Sequence, residues 1–135
     1  MSERALGTMT RANKGPVAPP PALDGPLGAV ADEVAGWHGI LATAHWDLFD
    51  MSRLDGVDFY YGELELGHIH LDGSVHLATS PDLGRTLVGE GLCRPFPYQH
   101  GWVHEQVQRI GPAAAVALFK RNYERLLRIN DTPSD

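Results

Sequence analysis

The chain has one cysteine, Cys93, in 135 residues, so an internal disulfide is excluded. A reducing compartment suits it, and with no redox motif nearby the thiol reads as a spectator. Positive charge is scarce as well: 11 Lys and Arg against 17 Asp and Glu leave a net charge of −6. Arg4, Arg11 and Lys14 all stand within the first 25 residues, so the remaining body is more acidic still. Such a surface repels phosphate, which argues against nucleic acid and anionic membranes as partners. No apolar run approaches the ~20 residues that cross a bilayer. The N-terminus also lacks the positive-then-apolar pattern of a secretory signal, so a cytoplasmic location is expected. Missing too are a Gly-x-Ser-x-Gly elbow, a phosphate-binding glycine loop and a dinucleotide fingerprint.

What is present divides the chain simply. Residues 1–25 carry Gly15-Pro16 and the run Pro19-Pro20-Pro21 with almost no large apolar side chains. Such a segment cannot offset its ordering entropy by burial, so it reads as a disordered or extended tail. A single domain is expected over residues 26–129, and residues 130–135 should fray. A first helix opens at Pro26 and runs to about Trp37, with Leu27, Val30, Ala31 and Val34 at helical spacing. Ile40 to Trp46 reads as a short strand. From Val57 to Thr79 the pattern turns to period two in β-favouring residues, with a turn at Asp72-Gly73. Ser80-Pro81-Asp82 supplies an N-cap, a first-turn proline and a first-turn acid for a helix to about Gly89. Pro95 and Pro97 mark an extended connector, Trp102 to Gln108 a strand, and Gly111-Pro112 the start of the longest helix, ending near Ile129. These elements predict an α+β domain. An antiparallel sheet of about four strands would carry helices mainly on one face, in the order α-β-β-β-α-β-α.

The chemistry concentrates between Glu65 and His76. Two registers are open to this hairpin. A two-residue Asp72-Gly73 loop would put His68 and His70 among valine and leucine, with His76 on the opposite side. A three-residue loop Leu71-Asp72-Gly73, with glycine in the left-handed position, pairs His68 with His76 and Ile69 with Val75. The second sorts polar from apolar cleanly and is preferred, because a one-residue slip would send every side chain to the wrong face. Leu64 and Leu66 fall out of phase with Ile69, which a β-bulge at Gly67 repairs. Glu63, Glu65, His68, His70, Ser74 and His76 should then share the open face of the sheet.

Imidazole is the side chain best suited to bind metals or move protons near neutral pH. His68, His70 and His76 are therefore candidate ligands for a divalent metal such as zinc, with Glu65 as fourth ligand or general base of a metal-dependent enzyme. The other readings are a site for a small ligand or protein partner, formed by Glu65, His68, His70, Ser74 and His76, and a merely solvated polar cluster. Elsewhere, His104-Glu105 resembles the start of a zincin helix, but Gln108 stands where the second histidine is required. Tyr98-Gln99-His100 with Trp102 could line a pocket or pack as a rim. Phe59-Tyr60-Tyr61 reads as core, and Arg121, Arg125 and Arg128 as a solvated helix flank.

Taken together, Glu65-x-x-His68-x-His70, Gly73-Ser74-x-His76, Ser80-Pro81, Gly101-Trp102-Val103 and Tyr123-x-Arg125 resemble the luciferase-like domain, a small bacterial and fungal family, over about residues 37–127. The resemblance implies an α+β domain whose histidine-rich hairpin is the shared site, with no biochemical activity assigned. Other members should carry histidines in the connector before Gly-Trp-Val. Here that stretch reads Arg94-Pro95-Phe96-Pro97-Tyr98, with His100 alone just before the glycine.

Overall fold

The computed structural model describes residues 18–131, apart from 48 and 51. Along the chain come α1 (Gly25–Ala35), β1 (Ile40–Trp46), β2 (Leu54–Tyr61), β3 (Leu64–His70), β4 (Ser74–Leu77), α2 (Pro81–Gly89), β5 (Arg94–Pro95), β6 (Val103–Gln106), α3 (Val107–Ile110) and α4 (Pro112–Asp131). One antiparallel sheet runs in the order β1-β2-β3-β4-β6-β5. The fold is the expected α+β, but the sheet has six strands rather than four. One added strand comes from a second tight turn: Gly62-Glu63 forms a two-residue loop between the paired Tyr61 and Leu64, with Gly62 at φ +65°. The other is the two-residue β5, where the proline connector touches the sheet edge.

Helix starts follow the local chemistry. Ser80 Oγ accepts from the Leu83 amide at 3.2 Å ahead of Pro81. Helix α4 continues to Asp131, beyond the expected stop at Ile129. Most of the N-terminal segment lies outside the described residues, but the Ala44 amide donates to the Ala18 carbonyl at 2.9 Å, and Leu23 packs on the core. Val30 and Val34 of α1 and Leu118 and Phe119 of α4 share one cluster with Val57, Phe59, Ile69 and Val75 from the sheet. Phe59 and Phe119 meet edge to face at 5.5 Å.

The expected bulge forms, one residue before Gly67. Phe59 pairs with Gly67 and Tyr60 with Glu65, so Leu66 is the extra residue. A Cβ at Gly67 would lie 2.5 Å from the His76 carbonyl oxygen and 3.1 Å from the Phe119 ring, so only glycine fits there. Asn122 of α4 donates to the Leu66 and Ala78 carbonyls at 2.8 and 3.2 Å, tying the long helix to the bulge. Arg125 departs from the solvated flank expected of it. It is half-buried and donates to the Asn122 side chain and the Ala78 carbonyl. Arg121 pairs with Glu90.

Candidate functional site

Strand pairing assembles the site. The hairpin adopts the three-residue register, His68 opposite His76 and Ile69 opposite Val75. Gly73 at φ +94° closes the turn, and Asp72 caps the Ser74 amide at 2.8 Å. The same ladder continues across the sheet, because Asp58 pairs with His68, Thr43 with Asp58, and His104 with His76. One row therefore carries Thr43, Asp58, His68, His76 and His104. In the next row Gly56 stands between His45 and His70, and their rings meet over it at 4.7 Å.

This face is not open, contrary to the sequence expectation. His45 is 3%, Asp58 1%, Glu65 1% and His68 6% exposed. Aromatic residues between α2 and β6 cover part of the row: Phe96 lies 4.3 Å from the His76 ring, and Trp102 6.1 Å from that of His68. Tyr60 is fully buried, and its hydroxyl donates to Asp58 at 3.3 Å.

Three imidazoles each meet a carboxylate through Nδ1: His45 with Asp58 at 2.7 Å, His68 with Glu65 at 2.6 Å, and His70 with Asp55 at 2.7 Å. Beyond them, the Nε2 atoms of His68 and His70 both face Nδ1 of His76, at 3.0 and 3.2 Å. With ionised carboxylates the three Nδ1 atoms carry hydrogens, so each neutral ring presents a bare Nε2. His76 Nδ1 holds at most one proton for two such acceptors. Two ring nitrogens therefore face one position on His76. His76 itself stays uncharged down to about 3, chiefly because it is buried and secondarily because His70, His104 and His45 surround it. Burial and Arg94 lower His104 in the same sense.

Among the described residues, two groups have ligand atoms all within 4.8 Å of one another: His45, His68 and His70, and separately Asp58, Glu65 and His68. Of the residues named from sequence, His68 and His70 lie in the first group and Glu65 with His68 in the second. His76 adjoins both rings but belongs to neither group. Ser74 instead accepts from the Gln106 side chain at 2.9 Å, locking β4 to β6. Glu63 sits exposed in the Gly62-Glu63 turn. Sequence reading missed His45, Asp55 and Asp58. A lone aspartate in the apolar run Val57-Asp58-Phe59-Tyr60 was the available signal.

Residues 63–117 match the family model described as the Luciferase domain. That match agrees with the resemblance read from Glu65, His68, His70 and His76, and it runs from the β2–β3 turn into α4. The Luciferase-domain span contains Glu65, His68, His70 and His76, whereas His45, Asp55 and Asp58 precede it. No curated protein and no solved structure matches the chain.

The remaining candidates resolve plainly. Glu105 is fully buried and is held down to about 2, first by the hydrogen bond from Arg109, so it is an ion-pair anchor. Burial raises the Cys93 thiol to about 11, leaving it inert. Tyr98, Gln99, His100 and Trp102 do line a cavity, of about 750 Å³. Among the described residues no helix is long and apolar enough to cross a membrane.

Proposed function

We propose that the histidine face binds one divalent transition metal ion, such as zinc, through His45, His68 and His70. The reading rests on the three neighbouring Nδ1–carboxylate contacts. Metal-ligating histidines characteristically donate the other ring nitrogen to a carboxylate, which fixes the tautomer and raises ligand basicity. The alternative set of Asp58, Glu65 and His68 would have an ion replace those hydrogen bonds, so it is the poorer choice. Three imidazoles leave a fourth position for water or for an oxygen of a small ligand, as in catalytic zinc centres. The Nε2 contacts aim that position toward His76, whose neutral ring can exchange a hydrogen bond with whatever occupies it. Glu65 then orients His68 instead of ligating, and Ser74 stays outside the centre. A metal-dependent enzyme or metal-assisted binding protein in a reducing cytoplasm accords with this site and with the buried, unreactive thiol.

Untagged protein purified from zinc-supplemented culture should contain one ion per chain by elemental analysis, and cobalt should give the intense visible bands of tetrahedral coordination. His70→Ala, the least buried of the three, should lose the ion while keeping its far-ultraviolet spectrum. Asp55→Asn should weaken binding by about 10- to 100-fold. Substoichiometric metal, together with a cobalt spectrum no different from that of the free ion, would eliminate the proposal.

A further inference from the structure

Between α2 and the connector that precedes β6 lies the cavity of about 750 Å³, a volume typical of small-molecule sites. Its aromatic lining comes from Phe96, Tyr98 and Trp102, and its charged or polar side chains include Arg85 and His100. Among the described residues no aspartate or glutamate lines it, in a chain carrying a net charge of −6. Among the described residues Arg85 is thus the one charged residue lining a groove that three aromatic residues also line.

We propose that this groove binds a small aromatic carboxylate, its ring against Trp102, Phe96 and Tyr98 and its carboxylate on Arg85. Aromatic pairs prefer offset or edge-to-face packing, and the lining rings already show it: Phe96 and Tyr98 meet at 5.6 Å and 78°. A guanidinium is the side chain best matched to a carboxylate. Arg85 presently pairs with Asp82 one turn away, and both are largely exposed. Such an exposed surface pair is weak, so a ligand carboxylate displaces Asp82 at little cost. His100 also lines this groove. Phe96 and Trp102 are also the rings that cover His76 and His68, so an occupant of the groove shares a wall with the histidine face. The groove does not require the metal: this inference and the metal reading fail separately.

The test titrates the full chain with cinnamate, following tryptophan fluorescence and calorimetry, before and after chelator treatment. Cinnamyl alcohol and cyclohexanecarboxylate serve as probes lacking the charge and the aromatic ring. Saturable cinnamate binding is expected, about tenfold or more tighter than either control, since a charge-assisted hydrogen bond contributes that much. Arg85→Gln should erase the preference for the acid over the alcohol, and Tyr98→Ala should weaken both aromatic probes. Both residues are exposed, so melting temperatures should not move. Absence of saturation, equal binding of the alcohol, or indifference to Arg85→Gln would overturn the proposal. Equal binding of the saturated acid would overturn its aromatic part. Cinnamate binding that survives metal removal supports a groove independent of the ion; binding lost with the ion would place the ligand on the metal instead.

Discussion

The two faces of the sheet are built from alternate residues of the same strands, yet they obey different rules. On the helix-backed face, Val57, Phe59, Ile69 and Val75 make non-directional contacts, and any side chain of similar volume fits nearly as well. On the opposite face Asp58, Glu65, His45 and His68 are as deeply buried, but each depends on a particular partner at hydrogen-bond distance. Burial of ionisable groups is a poor source of stability, since desolvation offsets most of the attraction. That imbalance is in keeping with the proposal that this polar network serves binding.

That contrast can be broken experimentally. The largest effect should come from the apolar face: Phe119→Ala should cost about 3–5 kcal/mol in denaturant unfolding, through the cavity left against Phe59. His68→Ala should cost about 3 kcal/mol, because it deprives the buried Glu65 carboxylate of its imidazole. The double replacement His68→Leu with Glu65→Leu should recover most of that loss while leaving the protein unable to bind metal. Failure to recover would mean the polar face is structural after all. Next comes pH. His76 is neutral in the native state down to about 3, whereas its ordinary value is 6.5. The unfolded chain therefore takes up a proton that the native chain refuses, and stability falls as pH drops from about 6.5 toward 3. Between pH 7 and 5 this amounts to about 2 kcal/mol, and His76→Gln should flatten the curve by that amount. An unchanged slope would show that other groups govern acid sensitivity. The smallest effect belongs to Ser74→Ala, which removes the bond from Gln106 and should cost about 1 kcal/mol. Metal content should not change.

The hairpin was legible because its signals are local. Glycine at 73 and at 67, with strict alternation between them, admits only one register that keeps Ile69 and Val75 together. The Gly62-Glu63 turn escaped because Tyr61 and Leu64 on either side continue the β pattern without a break. His45 and Asp58 escaped for a different reason. Their place in the site depends on which strands pair, and nothing near them in sequence announces that Thr43, Asp58 and His68 will lie in one row. The covering of the face was hidden likewise, since Phe96 and Trp102 reach it from a segment about 20 residues further along. Ser74 shows the converse error: proximity in sequence to three histidines suggested a shared role, while its hydroxyl faces Gln106 on the neighbouring strand.

The packing of Phe96 against His76 has a spectroscopic consequence. A phenyl ring 4.3 Å from an imidazole, inclined by 37°, shifts the imidazole carbon-bound protons through its ring current. Those resonances should stand apart from the signals of the exposed His38 and His100. One pair of nuclear magnetic resonance lines would then register both an ion arriving at His68 and His70 and a movement of the connector above them.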